Sequence, residues 1–208
     1  MIKAVNFPNI GFLKIQFTKE QLTPILEEIA EIENNFISAI EANKSLAGNI
    51  DKQYFLFKSY DFINSLLKDG IIEYEDKFNF LSTCSPLSKS VKLCVKDIWV
   101  NFQSKHEFNP IHNHAGVFSF VLWIKIPYYI DKETDKSPGK KSNNPLAGHF
   151  SFVYTNTLGE ICQYHIPADQ TLENCMLIFP AKMHHSVHPF YSTDDYRISV
   201  SGNIVFQV

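Results

Sequence analysis

The chain has 208 residues, of which 45% are hydrophobic and 20% charged, a composition that supports one domain of ordinary size and excludes a disordered chain. Its 19 basic and 22 acidic residues give a net charge of −3, which offers no electrostatic attraction to nucleic acid or an anionic membrane. No apolar run approaches the roughly 20 residues of a membrane-spanning helix, and the first residues lack the pattern of a signal peptide. With four scattered cysteines, we predict a single-domain cytoplasmic protein without a nucleic-acid or membrane partner, and its oligomeric state stays open.

The segment 1–88 predicts one strand followed by supporting helices that carry no chemical motif. Residues 10–17 alternate in hydrophobicity as a strand does. Thr18 is expected to begin the first helix, because Gln21 stands in the capping-box position, and Thr23-Pro24 is a second possible start. Apolar residues at steps of three and four then form one stripe over 22–40, and the glutamates of this stretch are expected to form a solvated face.

The residue pattern changes near residue 89, from helical periodicity to short strand-like segments. Before it, a second and shorter helix is predicted over 57–68, ending at Gly70. After it, short β-branched and aromatic segments separated by turn residues predict a β-sandwich or closed barrel over 89–208. The polar insert 131–148 has no apolar periodicity and is expected to be a long loop. The predicted strands lie in SVKLCVKDIWVNFQ, GVFSFVLWIKIPYYI, GHFSFVYT, GEICQYHIPA, NCMLIFPA and YRISVSGNIVFQV.

Histidine and arginine are distributed unevenly. All 8 histidines lie between His106 and His188, and Arg197 is the single arginine among 19 basic residues. An arginine presents a rigid planar fork that pairs with a carboxylate through two hydrogen bonds, which a lysine does not reproduce. In a chain that otherwise uses lysine, this one arginine is a candidate for carboxylate binding.

The segment around His112 and His114 is the strongest candidate for a metal site. Two histidines at positions i and i+2 of an extended strand point to the same face and can converge on one ion. A third histidine is available in 179–190, which contains His184, His185 and His188. Imidazole suits iron, zinc, copper and nickel, and open coordination positions would make such a site catalytic.

The order of these segments resembles a known family. WVNFQ, HNHAG, FSFVLWIKIP, LIFPAKMHHSVHPF and YRISVSGNIVF follow one another as they do in the Fe(II)/2-oxoglutarate-dependent oxygenases, in particular their prolyl-hydroxylase-like branch in bacteria and phages. The resemblance covers about residues 97–206, roughly half of the chain. It implies a mainly β protein with N-terminal helices, whose core is a double-stranded β-helix, a cupin-like jelly-roll barrel.

The resemblance also implies roles for individual residues. The metal ligands fall on His112, His114 and His185, and the residue that pairs with the distal carboxylate of 2-oxoglutarate falls on Arg197. Ser199, two residues along on the same strand face, would support it. The implied cofactors are Fe(II), 2-oxoglutarate as cosubstrate, and O₂.

Further residues are assigned more loosely. Asn101 and Gln103 share a strand face and are candidates for cosubstrate contacts. Trp123 and Tyr128 are candidates for the cavity wall, because a polar tip could meet a carboxylate there. The insert 131–148 is expected near the barrel mouth, where it could close over the substrate. The remaining histidines have no partner pattern and are expected to be structural or exposed: His106, His149, His165, His184 and His188.

One feature departs from the family pattern. Most members have a carboxylate where this chain has His114, and three neutral imidazoles leave Fe(II) with its full charge. The alternatives are a site of three histidines, a site of two with His114 behind them, or a carboxylate from elsewhere. Asp194 and Asp195 are the nearest carboxylates in sequence, and we expect neither to be a ligand.

The function implied is hydroxylation of an unidentified substrate, a small molecule or a peptide, with release of succinate and CO₂. A prolyl or other amino-acid residue is one candidate substrate, but the fold and the cofactor do not fix it. Two alternatives stay open. One is a cupin-like enzyme with a three-histidine metal and no 2-oxoglutarate, and the other is a non-enzymatic jelly-roll module for binding or structure.

Overall fold

A computed structural model describes residues 9–84 and 92–207. Within these residues the chain forms ten strands and three α-helices, joined by short 3₁₀ turns. The helices are α1 (Thr23–Asn34), α2 (Tyr60–Phe78) and α3 (Ile130–Lys136). The strands are β1 (Leu13–Gln16), β2 (Lys52–Phe55), β3 (Leu93–Gln103), β4 (Asn109–His112), β5 (Phe118–Lys125), β6 (His149–Thr155), β7 (Ile161–Pro167), β8 (Cys175–Pro180), β9 (His184–Val187) and β10 (Arg197–Phe206).

The strands form two antiparallel sheets. The larger sheet has the order β1-β8-β5-β10-β3-β2 and the smaller one β4-β9-β6-β7, so strands distant in sequence are neighbours. Each of the six segments predicted as strands contains one. The predicted change of residue pattern near residue 89 lies in 85–91, outside the described residues. The division of the chain into 1–88 and 89–208 stays a prediction.

The two faces of the larger sheet pack against different elements. Along β5, Phe120 and Leu122 pack with α1 and α2 in one hydrophobic cluster. Val121 and Trp123, on the other face, pack with residues of the smaller sheet in a second cluster. This alternation, which follows from the two-residue period of a strand, separates an outer core under the helices from the barrel interior. None of the helices in 9–84 and 92–207 has the length and apolar character needed to cross a membrane.

The predicted capping box forms, but it opens a 3₁₀ turn over Glu20–Leu22, and the α-helix begins only at Thr23, the second predicted start, and ends early. The Thr18 backbone N–H donates to the Gln21 side chain over 2.8 Å, and the Gln21 N–H donates to the Thr18 hydroxyl over 3.3 Å, which completes the capping box. The α-helix ends at Asn34, however, and does not continue to residue 40. The Asn-Asn pair at its end favours turns over helix, and Ile37, predicted on the buried stripe, is 99% exposed.

Glu28 contradicts the prediction of a solvated acidic face. Its side chain is buried, and its carboxylate accepts the backbone N–H groups of Phe57, Lys58 and Ser59 at 2.7–2.9 Å. Since Ser59 is the N-cap of α2, one side chain of α1 fixes the beginning of the next helix.

Helix α2 runs through Gly70 and ends at Phe78, so the predicted end was wrong. A Cβ atom at Gly70 would lie 2.5 Å from Cδ1 of Ile178 in β8 and 3.0 Å from Cδ1 of Ile15 in β1. The glycine therefore allows the helix to approach the sheet and does not end it. The end lies at Asn79, which has a left-handed conformation with φ 47°.

The insert 131–148 is not a plain loop. Its first residues form α3, whose Glu133 is fully buried. The Glu133 carboxylate accepts the backbone N–H groups of Tyr191, over 2.6 Å, and Ser192, over 3.1 Å. These hydrogen bonds tie the insert to the segment that leads into β10.

Candidate active site

Three histidine side chains meet inside the barrel. The antiparallel pairing of β4 with β9 places His112 directly opposite His185, and their ring centroids are 4.3 Å apart. His114, two residues further on, points the same way, and its Nε2 lies 3.2 Å from Nε2 of His185. One ring nitrogen from each of the three lies within 4.8 Å of the others, close enough to share one ion.

Backbone carbonyls orient two of these rings. Nδ1 of His112 lies 2.8 Å from the Pro110 carbonyl, and Nδ1 of His185 lies 3.0 Å from the Met183 carbonyl. A carbonyl only accepts hydrogen bonds, so each Nδ1 carries the hydrogen and each Nε2 keeps its lone pair. This hydrogen bond to the second ring nitrogen is the usual arrangement around metal-binding histidines.

The protonation of the three rings suits a cation. Burial lowers the pKa of His185 well below its usual value, with further lowering from His112 and His114. Burial, followed by the neighbouring His112, lowers the pKa of His114 to about 4. The pKa of His112 is also lowered, chiefly by burial. The site is therefore neutral at pH 7 and accepts a metal ion without displacing protons.

No carboxylate joins this group among the residues that the structure describes. Asp194 and Asp195 are exposed and form ion pairs at the surface, with Lys105 at 2.5 Å and Lys125 at 4.0 Å. The structure therefore places both away from the cluster, as expected from the sequence. A donor set of three imidazoles fits a divalent transition metal such as iron, zinc or nickel.

Arg197 begins β10 opposite Gln103 at the end of β3, and its side chain is only 2% exposed. Its Nε and Nη2 both donate to Oε1 of Gln103, over 3.1 and 2.7 Å. Nη1 donates to the Tyr128 hydroxyl and, over 3.3 Å, to the Gly148 carbonyl. Nη2 also donates to the His188 carbonyl over 3.0 Å. The guanidinium is thus held by neutral acceptors alone.

The histidines and Arg197 face one inner cavity of about 40 Å³. Asn101 and Ser199 face it side by side, joined by a hydrogen bond of 3.3 Å, because they are register partners on β3 and β10. Trp123 lines the cavity as expected, whereas Tyr128 lies behind Arg197 and is not part of the wall. The residues that line the inner cavity include His112, His114, His185, Arg197, Asn101, Gln103, Ser199, Trp123, Ile50, Trp99, Asn109, Phe150 and Phe179.

A wider outer cleft of about 420 Å³ shares His112, His114 and Trp99 with the inner cavity. The insert 131–148 contributes to neither the cleft nor the cavity. Gly148 and Glu133 hold it at the Arg197 end, and its closure over a substrate stays a prediction. The wall of the outer cleft comprises Ser45, Leu46, Ala47, Phe55, Lys96, Asp97, Trp99, His112, Asn113, His114, Ala115 and Asn203.

Sequence reasoning missed the contribution of the N-terminal half to this site. Ile50 lines the inner cavity, and residues 45–47 line the outer cleft. These residues belong to no recognisable motif, and no local pattern indicates that their segment lies beside β4. Trp99 could have been found, since it shares a strand face with Asn101 and Gln103.

The histidines that were expected to be structural lie elsewhere. His184 is exposed, and its ring is 3.0 Å from the Asn113 amide on the outside of the sheet. His165 and His188 both contact the hydroxyl of Ser151, at 2.8 and 3.1 Å. None of these three belongs to the group that converges on one point.

Comparisons with known proteins agree with this geometry. Residues 97–203 match the sequence model of a family described as "Putative 2OG-Fe(II) oxygenase". This stretch contains the three histidines, Arg197 and the polar residues of the cavity wall. No protein with a curated description matches the sequence.

Several solved structures share the fold. A prolyl-4-hydroxylase from Pseudomonas putida superimposes with a TM-score of 0.53 at 12% identity, covering 96% of this chain and 94% of its own. The viral collagen prolyl hydroxylase of Paramecium Bursaria Chlorella virus-1 gives 0.50 at 12% identity, with 95% and 96% covered. The α-ketoglutarate-dependent epimerase SnoN of nogalamycin biosynthesis gives 0.51 at 12% identity, with 94% and 76% covered. These similarities confirm the predicted double-stranded β-helix.

Proposed function

Because the chain belongs to the 2OG-Fe(II) oxygenase family, we propose that it is a hydroxylase whose Fe(II) is held by His112, His114 and His185 and whose 2-oxoglutarate is anchored by Arg197. The proposed reaction consumes O₂ and releases succinate and CO₂. The observation that carries this proposal is the inner cavity, where the three neutral imidazoles and the buried guanidinium line one space.

The histidines fit their proposed role as the metal site. Each offers a ring nitrogen, and His112 and His185 are held in place by carbonyls that fix the free nitrogen as Nε2. Bound Fe(II) would supply, together with 2-oxoglutarate, the redox chemistry that activates O₂. With three protein ligands among the described residues, coordination positions stay available to the cosubstrate.

Arg197 fits the role of a carboxylate anchor. Its planar fork matches the two oxygens of a carboxylate, and a hydrogen bond to a charged group contributes about 1.5–3 kcal/mol. Asn101 and Ser199 border the same cavity and would orient the cosubstrate further. Phe150 and Phe179 complete the wall with apolar surface, which limits access of water.

The outer cleft is the proposed substrate site, because it opens directly onto His112 and His114. Its wall combines an aromatic side chain, Trp99, with one basic and one acidic residue, Lys96 and Asp97. Such a wall suits a peptide segment or another molecule that carries both apolar and polar groups. A prolyl residue is the first candidate, since prolyl hydroxylases share the fold, although SnoN shows that the fold also serves an epimerase.

Binding of both cofactors tests this proposal. Protein mixed anaerobically with Fe(II) and 2-oxoglutarate should develop the weak visible charge-transfer absorption of the iron chelate. Admission of O₂ should then produce succinate. His185→Ala should lower the affinity for iron by more than about 100-fold. Changing a residue that only supports a metal ligand lowers it by at most about that factor. His184→Ala, the neighbour exposed on the other face, should behave as the unchanged protein.

The role of Arg197 is tested by Arg197→Lys, which keeps the charge and removes the fork. We expect iron binding to persist and the charge-transfer absorption to need far more 2-oxoglutarate. Iron binding by the unchanged protein without any response to 2-oxoglutarate would contradict the proposal and favour a three-histidine enzyme that does not use it. Circular dichroism of each variant checks that the fold is retained.

A further inference from the structure

The side chain of Gln103 occupies the fork of Arg197. Its single oxygen, Oε1, accepts both Nε–H and one Nη2–H, over 3.1 and 2.7 Å. The other three N–H groups of the guanidinium donate to Tyr128, Gly148 and His188. An arginine has five N–H donors, so none is left for a carboxylate while this arrangement persists.

The Gln103 side chain is itself well held. It is 3% exposed, and its Nε2 donates to the Glu107 carbonyl over 2.6 Å. The Glu107 carboxylate accepts the N–H groups of Asp51 and Ser104, which fixes that turn. Gln103 is therefore a fixed partner of Arg197 whose displacement costs hydrogen bonds.

The size of the inner cavity leads to the same residue. A volume of about 40 Å³ has room for roughly three water molecules, less than a five-carbon dicarboxylate requires. A side chain of the wall must move to admit the cosubstrate. Gln103 is the wall residue whose movement both enlarges the space and releases the two N–H groups that a carboxylate uses best.

We propose that Gln103 competes with 2-oxoglutarate for Arg197 and is not one of its ligands, so that the cosubstrate binds by turning the Gln103 carboxamide out of the fork. This inference rests on the proposed function of the site. It reverses the role that the sequence assigned to Gln103. The affinity for 2-oxoglutarate then reflects the difference in hydrogen-bond free energy between a carboxylate and an amide oxygen on the Arg197 fork. Gln103 sets that affinity as a positioning residue.

Gln103→Met tests the competition, because methionine keeps the length of the side chain and removes the accepting oxygen. With Zn(II) bound in place of Fe(II), we expect calorimetry to show 2-oxoglutarate binding about tenfold more tightly than in the unchanged protein. The monocarboxylate 2-oxopentanoate, which has no distal carboxylate for Arg197, should show no such gain. Gln103→Asn, too short to reach the fork, should repeat the effect and serves if the methionine variant does not fold.

Weaker binding of 2-oxoglutarate by both variants would overturn the inference and make Gln103 a direct ligand, leaving the proposed function intact. An equal gain in affinity for 2-oxopentanoate would also overturn it, since the variants would then act only by enlarging the cavity and not by releasing Arg197. Absence of 2-oxoglutarate binding in the unchanged protein and in both variants would instead overturn the proposed function.

The single arginine provides a second readout in the unchanged protein. In a ¹⁵N-labelled, Zn(II)-loaded sample the chain has one arginine Nε–H resonance, that of Arg197. Titration with 2-oxoglutarate should shift this resonance together with the side-chain amide pair that is missing in Gln103→Met. A shift of the Arg197 resonance while the Gln103 amide stays unchanged would contradict displacement.

Discussion

His188 forms contacts through both its backbone and its side chain. Its carbonyl accepts a hydrogen bond from Arg197 over 3.0 Å, and its Nε2 contacts the Ser151 hydroxyl at 3.1 Å. Burial is the largest cause that lowers the pKa of His188, to about 4, and the charges of His149, His165 and Arg197 lower it further. The folded protein therefore holds this imidazole neutral.

This lowered pKa predicts a loss of stability in acid. In the unfolded chain His188 takes up its proton near its ordinary pKa of 6.5, whereas in the folded protein it does so near pH 4. Between these values the unfolded state binds more protons, so the free energy of unfolding falls as the pH falls. Urea denaturation of chelator-treated protein should show a smaller fall for His188→Gln. His106→Gln, at an exposed histidine, should keep the full dependence.

The side of the strand that each residue faces could be predicted from the sequence, but its partner could not. The two-residue period correctly placed Arg197 and Ser199 on one face of β10, and Asn101 and Gln103 on one face of β3. That Gln103 lies directly opposite Arg197 depends on the register of β3 against β10. This register is set by packing between strands far apart in the chain, which no local pattern contains.

At the scale of elements, the errors lie where one element contacts another. The apolar stripe correctly predicted a helix in this region, although not its end. The same pattern predicted a solvated Glu28, because the three backbone N–H groups that bury its carboxylate belong to residues 57–59. Likewise, the sequence predicts the end of a helix at Gly70, since the contact of this residue with Ile178 of β8 depends on the tertiary fold. Local rules describe an isolated helix, and tertiary packing decides the rest.

Glu28 should therefore matter far more than its neighbours. Glu28→Gln removes the charge from three hydrogen bonds and places an NH₂ group against donors, and we expect a loss of about 2 kcal/mol in the free energy of unfolding. Glu27→Gln, one residue earlier on the exposed face of α1, should change it by less than about 0.5 kcal/mol. Urea denaturation at pH 7 measures both, and equal effects would contradict the role of Glu28 as an anchor for α2.

At the scale of the whole molecule, the proposed metal site lies where β4 pairs with β9 in the smaller sheet. His112 and His114 come from one strand and the turn after it, and His185 from the other. An ion bound there would hold together two segments that are distant in sequence. Its binding should therefore raise the free energy of unfolding of the whole protein.

Metal ions should stabilise the protein measurably. An ion present at about 100 times its dissociation constant adds roughly 2.7 kcal/mol, which corresponds to an increase in Tm of roughly 5–10 °C for a chain of this size. Thermal denaturation with and without Zn(II) measures the shift, and a chelator should reverse it. His114→Ala should reduce the shift strongly if its ring is a ligand. A full shift in that variant would place His114 outside the metal site.

The pairing of β1 with β8 has a consequence for synthesis of the protein. Leu13 of β1 lies opposite Ile178 of β8, so β1 is synthesised long before its partner strand. At about 5–20 residues per second, the nascent chain waits on the order of ten seconds before the larger sheet can close. During that interval the part of the apolar surface of α1 and α2 that packs against β8 and β10 stays uncovered in the nascent chain.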